Sequence, residues 1–354
     1  PYSRRYLVLP HGGQSTLFQA RSGKLCMSYS GDKGGYAAFT HRLGLVPMEM
    51  DPNAPSLRPT DAYILESGPV GSLKPLVNIH LHDPFILADP KGYYIMLGTP
   101  EQASRRVGIR AWQSLDLRSW TALDFLWTFD RDATWSKEAP TNGKGPLMRS
   151  VWAPELHFLK GTYWIPYTLS WRQTGLLKSI TGKLKGPYVD VTAGPLTEKT
   201  IHSSLFMDDD GAAYCVYQGG MLARMKEDMS GFSETPKQIL DAQGHQIGSE
   251  GAFIVKIKGH YVLGAAQWHG DTGVDGSYDL MYSVAKDIDG PYSSRRLAVP
   301  HGGHGTIFKD LKGQWQCTFF GQDRTAPFRA RPGLIPLDIE EIKGDLLIKA
   351  QAQP

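Results

Sequence analysis

The sequence LHDPFILADPKGYYIMLG (residues 81–98) contains the pattern that decides the fold. An acidic residue, Asp83, precedes a short apolar run, and a turn with Asp, Pro, Lys and Gly leads into a second run rich in aromatic and apolar residues. Two such runs joined by a short turn predict a β-hairpin. Similar units follow at residues 155–167, 202–217, 250–263 and 304–317, and a sixth begins at Gln14.

The repeated hairpins predict a β-propeller. Units of about 40–70 residues that each form a small antiparallel sheet are typical of this architecture, in which sheets called blades stand around a central channel. One ring of blades accommodates the 354 residues without requiring a single thick core. Signals for helices are nearly absent, so the expected fold class is all-β.

An internal duplication bears on the number of blades. Residues 1–31 align without a gap with residues 291–321, and after one inserted residue the match continues between residues 44–50 and 333–339. A whole blade is therefore repeated, and a blade left outside the ring would expose apolar surface to water. The preferred prediction is a six-bladed ring. A five-bladed ring with an extra N-terminal blade is the alternative.

The composition argues against several classes of partner. Apolar residues make up 41% of the chain, charged residues 21%, and the net charge is +3. This balance predicts neither a nucleic-acid partner nor an anionic membrane surface. No apolar run approaches the ~20 residues of a transmembrane helix. The chain opens at Pro1 without a signal peptide, so any targeting segment is expected to lie upstream.

Short motifs of six kinds, one of them present twice, occur along the chain. They are His82-Asp83-Pro-Phe, a Gly-Ile-x-x-x-x-Ser-x-Asp-Leu-x-x-Trp stretch at 108–120, Trp152-Ala-Pro-Glu155-Leu-His, Ser249-Glu250-Gly-Ala-Phe, Gly-Pro-Tyr turns at 186–188 and 290–292, and Gly303-His304-Gly. In this order they resemble the glycoside hydrolases of family 43 and their relatives, which are five-bladed propellers. The likeness covers residues 75–350.

The resemblance implies an enzyme that cleaves O-glycosidic bonds in a plant or algal polysaccharide or oligosaccharide. It implies a carbohydrate substrate as the partner and a secreted or periplasmic location. The expected division is an N-terminal blade over residues 1–75 and a family 43-like catalytic propeller over residues 76–354, which together form one propeller domain.

The resemblance also implies roles for three acidic residues. In the family, an Asp at the start of the first blade is the general base, and a Glu two blades after the Trp-Ala-Pro motif is the general acid. Here these positions are Asp83 and Glu250, and Glu155 follows Trp-Ala-Pro, where the acidic residue tunes and orients the site. Inverting hydrolysis requires a carboxylate to activate water and a carboxylic acid to protonate the leaving oxygen, ~6.5–9.5 Å apart. Many family members have Asp at the position of Glu155.

Further residues are predicted to bind substrate around these acids. They are His82, Trp152, Trp171, His202, Trp268, His304 and Arg324. No cofactor is expected to be required. Relatives hold a calcium ion or a substrate contact near the position of His304, so a structural calcium there is the alternative. A substrate-orienting or structural histidine is preferred, because calcium binds several oxygen ligands.

Two other functions remain open at this point. The chain could be a carbohydrate-binding propeller that has lost catalysis, or it could transfer a sugar to phosphate or to another sugar. Transfer would require a basic anion pocket or a nucleophilic carboxylate. The presence of all three acids favours the hydrolase.

Overall fold

The computed structural model describes residues 12–19, 25–31, 43–50, 57–59, 73–270, 276–323, 326 and 328–351. Strands dominate these residues, and the two helices among them are only six and four residues long. The expected all-β class is therefore confirmed. No helix in this part of the chain is both long and apolar enough to cross a membrane.

The strands form six antiparallel sheets. The N-terminal sheet contains β1 (Gly12–Gln19), β2 (Leu25–Gly31), β3 (Leu43–Met50) and β4 (Leu57–Pro59). Blade 1 contains β5 (Leu81–Asp89), β6 (Tyr93–Pro100), β7 (Gly108–Ser114) and β8 (Thr121–Thr128), with α1 (Gln102–Val107) between β6 and β7 and α2 (Phe129–Asp132) after β8. Blade 2 contains β9 (Val151–Trp152), β10 (His157–Leu159), β11 (Thr162–Leu169), β12 (Gln173–Ser179), β13 (Tyr188–Asp190) and β14 (Thr197–Glu198).

The remaining blades have four strands each. Blade 3 contains β15 (Ser203–Met207), β16 (Ala213–Tyr217), β17 (Met221–Arg224) and β18 (Lys237–Gln238). Blade 4 contains β19 (Glu250–Ile257), β20 (His260–Gly270), β21 (Gly276–Ala285) and β22 (Arg296–Val299). Blade 5 contains β23 (Ile307–Lys309), β24 (Trp315–Phe320), β25 (Pro332–Ile342) and β26 (Asp345–Ala350).

Adjacent blades pack face to face through apolar clusters. The clusters include Trp127 and Tyr163 between blades 1 and 2, Trp164 and Cys215 between blades 2 and 3, Val216 and Leu263 between blades 3 and 4, and Tyr282 and Phe319 between blades 4 and 5. Each of these side chains is almost completely buried. Both faces of blades 2, 3 and 4 are covered in this way. The strands of these blades that lie nearest the channel are therefore held firmly in place.

The ring closes between blade 5 and blade 1. Strand β5 packs directly against β23, β24 and β25. Thr318 Oγ1 donates a hydrogen bond to the Pro84 carbonyl (2.6 Å), and the Leu76 N–H donates to the Pro332 carbonyl (2.7 Å). Phe308 of blade 5 also packs on the apolar cluster of blade 1.

This closure corrects the blade count. A six-bladed ring would need a gap between blades 5 and 1, but their facing surfaces already cover each other. The propeller prediction is confirmed with five blades, and the six-bladed count is wrong. The alternative, a five-bladed ring with an extra N-terminal sheet, is the arrangement found. The division of the chain at residue 75 stays a prediction.

A chain that lacks residues 1–70 is expected to fold into the same ring, because the contacts that join blade 5 to blade 1 are direct. Its melting temperature should lie within ~4 °C of that of the full chain, equivalent to ~2 kcal/mol for a domain of this size. Removal of blade 5 (residues 304–351) is the control and should abolish cooperative unfolding. A fall of more than ~10 °C after the first deletion would show that the N-terminal sheet supports the ring.

Candidate active site

One residue near the start of the inner strand in each blade has a left-handed backbone. These residues are Asp83, Ala153, His202, Gly251 and His304, with φ of 52°, 41°, 55°, 61° and 44°. For the four that are not glycine this conformation costs about 1 kcal/mol each. Because the same turn recurs once per blade, side chains at or just before it come together at one mouth of the channel.

A cavity of about 290 Å³ opens at this mouth. Its lining consists of His82, Asp83, Thr99, Arg105, Trp152, His202, Glu250, Tyr278, Phe320 and Gln322. The volume lies near the lower end of the ~300–1,000 Å³ that small-molecule sites occupy. Two of the predicted acids, from blades 1 and 4, thus share one small polar pocket with aromatic walls.

The Asp83 carboxylate is fixed at both oxygens. Thr99 Oγ1 donates a hydrogen bond to Oδ2 (2.7 Å) and accepts one from the Ala153 N–H (2.7 Å). His304 Nδ1 lies 3.0 Å from Oδ1, close enough for an ion pair although off the axis of a hydrogen bond. Burial alone would raise the pKa of Asp83, but His304, His202 and the Thr99 hydroxyl together outweigh burial and hold that pKa well below its usual value. Asp83 is therefore ionised at neutral pH.

His304 is the electrostatic partner of Asp83. Its side chain is buried, and a Cβ on the left-handed Gly251 would lie 2.8 Å from its Cδ2, so the ring fits only against glycine. Burial would lower the pKa of His304, but the surrounding carboxylates, Asp83 foremost, together outweigh burial and raise it. The two groups form an ion pair on the cavity floor.

Glu250 has a different environment from Asp83. Tyr278 Oη donates a hydrogen bond to Glu250 Oε1, and Oε2 lies 3.4 Å from His202 Nδ1. Burial lowers the pKa of His202 to about 4, helped by the charge of His304, so His202 is neutral at neutral pH. Burial raises the pKa of Tyr278 well above its usual value, so its hydroxyl remains a donor. No cation pairs with Glu250 in the described part of the chain.

Glu155 lies outside the cavity lining among the described residues. Its position in blade 2 is two residues beyond the left-handed Ala153, so it corresponds to Phe85 in blade 1 and not to Asp83. The Glu155 side chain is buried, and Oε2 lies 2.8 Å from His157 Nε2, whose ring packs on Phe85. Glu155, the third predicted acid, therefore lies below the cavity and not in its wall. Its charge contributes to raising the pKa of His304, after the larger effects of burial, Asp83 and Glu250.

Some of the other predicted binding residues line the cavity, and others do not. His82, Trp152 and His202 line the cavity, and His82 stacks on Phe320 with ring centroids 4.6 Å apart. Trp171 does not line it, and its Nε1 donates a hydrogen bond to Gln173 Oε1 (2.7 Å).

Two of the predicted binding residues remain, Trp268 and Arg324. Trp268 packs behind Tyr278, with ring centroids 5.9 Å apart, and supports the wall without lining it. Arg324 lies outside the described residues.

Five lining residues did not emerge from the sequence. They are Thr99, Arg105, Tyr278, Phe320 and Gln322. Thr99 directly follows the hairpin quoted at the outset, so its closeness to Asp83 across the pair β5–β6 could have been found from the register. Tyr278 comes from the third strand of its blade and Arg105 from α1, and no repeat pattern marks them.

Three potential metal ligands meet at the ion pair. One ligand atom each from Asp83, His202 and His304 lies within 4.8 Å of the others, and Nδ1 of both histidines is buried without a hydrogen-bond partner. Calcium takes about six to eight oxygen ligands. Two imidazole nitrogens and one carboxylate do not match that preference, so these described residues do not fit the calcium alternative.

Known proteins of similar sequence carry the names of glycosidases. The sequence is 24% identical over 249 residues to the extracellular endo-α-(1→5)-L-arabinanase 1 of Bacillus subtilis, covering 67% of this chain and 74% of that protein. It is 25% identical over 270 residues to a putative β-xylosidase of Escherichia coli, covering 67% of this chain but only 47% of that protein. The chain thus spans about half the length of this second relative.

Solved structures share the fold. An exo-1,5-α-L-arabinanase from a bovine ruminal metagenomic library superposes with a TM-score of 0.60 at 18% identity, covering 78% of this chain and 97% of that structure. An endo-1,4-β-xylanase of Bacteroides thetaiotaomicron gives 0.60 at 20% identity, covering 80% and 97%. The family model described as Glycosyl hydrolases family 43 matches residues 72–333, which contain Asp83, Glu155 and Glu250. This match covers most of the chain, and the protein therefore belongs to glycosyl hydrolases family 43.

Proposed function

We propose that this protein hydrolyses glycosidic bonds of a plant or algal polysaccharide, or of oligosaccharides derived from one, with inversion at the anomeric carbon. Asp83 is the general base and Glu250 the general acid. The observation that carries the proposal is that two carboxyl groups share one small cavity but have opposite surroundings. His304 keeps one ionised, while the other has a phenol and a neutral imidazole beside it.

The surroundings of Asp83 suit a general base. Its ion pair with His304 and the hydrogen bond from Thr99 hold the carboxylate in one orientation. A water molecule beside it would lose a proton to Asp83 as it attacks the anomeric carbon. Because the pKa of Asp83 is held low, the base stays competent well into acidic solution.

The surroundings of Glu250 suit a general acid. Tyr278 donates to Oε1, so a proton on the carboxyl group resides on Oε2. That proton passes to the glycosidic oxygen as the bond to the anomeric carbon breaks. A neutral His202 beside Oε2 places no positive charge against the protonated acid.

The relatives guide the choice of substrate. Their names refer to arabinan, arabinofuranosides, β-xylosides and β-D-galactofuranosides. Arabinose- and xylose-containing plant polysaccharides are therefore the first substrates to test, with a panel of aryl glycosides. Two of the relatives are named extracellular, which supports a secreted or periplasmic location for this chain. The reaction needs only the two carboxyl groups and water, so we propose that no cofactor takes part.

The stereochemistry tests the proposal most directly. The sugar first released should have the anomeric configuration opposite to that of the substrate, because water attacks from the Asp83 side while Glu250 protonates the other side. Proton NMR spectra recorded in the first minutes, before mutarotation, would reveal it. Early release of the retained anomer would instead require a nucleophilic carboxylate and would overturn the inverting mechanism.

Replacement of Tyr278 by Phe is expected to lower kcat about tenfold on substrates with poor leaving groups, because Glu250 loses the donor that orients it. KM and the rate on activated aryl glycosides should change little, since little protonation is needed there. The Trp268→Phe variant perturbs the same wall behind Tyr278 and is the control for packing. Equal losses on both substrate classes would assign Tyr278 a structural role only.

A further inference from the structure

Arg105 lines the cavity from helix α1, beside the two carboxyl groups and the His82 ring. Its neighbour Arg106 differs in its surroundings: that side chain is exposed, and its guanidinium contacts Met148 Sδ at 3.0 Å. Two successive arginines therefore have separate environments, one in the pocket wall and one on the outer surface. Neither belongs to the motifs that identify the family.

The Arg105 guanidinium has no partner among the described residues. Its Nε is buried without a hydrogen bond, and no carboxylate in those residues forms an ion pair with it. Glu101, the nearest acidic residue in sequence, is hydrogen-bonded to Ser104 instead. Arg105 is half-buried, so its guanidinium is partly desolvated, which is costly for an unpaired charge. A guanidinium in a pocket wall without a protein partner indicates a partner in the ligand.

The charges in the cavity leave one positive charge unmatched. Asp83 and His304 neutralise each other as an ion pair. Burial lowers the pKa of His82 and brings that of His202 to about 4, so both rings are neutral at neutral pH. With Glu250 protonated, as the proposed mechanism requires, Arg105 is the surplus cation among these lining groups. The pocket is then complementary to a ligand that carries a single negative charge.

We propose that Arg105 binds the carboxylate of a uronic acid residue, which occupies the cavity as the sugar whose bond is cleaved. The inference rests on the proposed function in assuming that the cavity holds a sugar. A guanidinium can form two parallel hydrogen bonds to a carboxylate, and this geometry distinguishes it from a neutral hydroxymethyl group. The substrate class is therefore a uronosyl-containing polysaccharide or oligosaccharide.

Matched monosaccharides test this inference. D-Xylose, D-glucose and D-glucuronate share one ring configuration and differ only in carrying hydrogen, hydroxymethyl or carboxylate at C5. L-Arabinopyranose, D-galactose and D-galacturonate form a second such series. Calorimetric titration of the full chain should give binding at least about tenfold tighter for the uronate than for its neutral counterparts in one series. The preference should shrink as the salt concentration rises.

Three arginine variants test the assignment, and the one at Arg106 is the control. Arg105→Met should abolish the uronate preference, Arg105→Lys should retain part of it, and Arg106→Met, which removes the same charge one residue away, should leave it unchanged. Melting temperatures establish that each variant is folded. Equal or undetectable binding of all six sugars by the unmodified protein overturns the proposal, as does a preference that survives Arg105→Met or disappears in Arg106→Met.

The result is separable from the proposed hydrolysis. Asp83-dependent cleavage of neutral aryl glycosides without any uronate preference would overturn the role of Arg105 alone. If uronate binding depends on Arg105 but neither uronosides nor neutral glycosides are hydrolysed, the proposed reaction would be overturned and the anion site would not.

Discussion

Replacement of Asp83 by Asn is expected to reduce hydrolysis by about 10²–10⁴-fold, the range that general bases contribute. The amide cannot accept the proton of the attacking water, yet it has nearly the same shape. Asn is also suited to the backbone, because it tolerates the left-handed conformation that Asp83 adopts with φ of 52°. The loss should appear in kcat on every substrate, since water must be activated whatever the leaving group.

The same variant should show a pH-dependent change in stability. His304 has a raised pKa in the folded state because of the Asp83 carboxylate, so its contribution is present in acid and is lost as pH rises through the folded pKa. Removing the carboxylate should therefore lower the melting temperature more at pH 5 than at pH 9. Unfolding curves of both proteins at the two pH values provide the measurement.

Glu155→Gln is the comparison for Asp83→Asn. Both changes neutralise a buried acid that contacts a histidine, but Glu155 lies below the cavity, beside His157. Its loss should reduce activity much less than the loss of Asp83. Near-normal rates in Asp83→Asn, or a greater loss in Glu155→Gln, would contradict the assignment of the base.

The propeller could be predicted because short local patterns in the sequence determine its strands and turns. Each hairpin such as residues 81–98 carries its own alternation of strands and turn, and five repeats of it leave few architectures. The blade count could not be predicted, because a duplicated sequence shows that another sheet forms but not which surface it packs on. The closure through Thr318 and Pro84 is a contact across 234 residues of sequence, and no local pattern encodes it.

The site was predictable to a similar extent. Asp83 and Glu250 lie at a recurring bulge where an inner strand begins, and the structure brings both into one cavity. Glu155 follows a similar motif, but it lies two residues further along the chain than Asp83 does in its own blade. Its side chain is therefore below the cavity. Tyr278 and Arg105 come from a third strand and a helix between strands, whose positions depend on how the whole blade packs.

Replacement of Glu250 by Gln should lower hydrolysis of natural glycans by about 10²–10⁴-fold, because the amide has no proton of suitable acidity for the leaving oxygen. The steric change is small, and Tyr278 Oη can still donate to the amide oxygen.

The dependence on the leaving group separates Glu250 from Asp83. An acidic phenol leaves as its phenolate without needing a proton. The hydrolysis of such aryl glycosides by Glu250→Gln should therefore remain within about tenfold of the rate of the unmodified enzyme. A plot of log kcat against leaving-group pKa should accordingly be steep for Glu250→Gln and shallow for the unmodified protein. Asp83→Asn should keep the shallow slope at a uniformly lower rate. Parallel lines for the two variants would mean that Glu250 does not donate the proton, and the acid would then have to be sought elsewhere in the cavity.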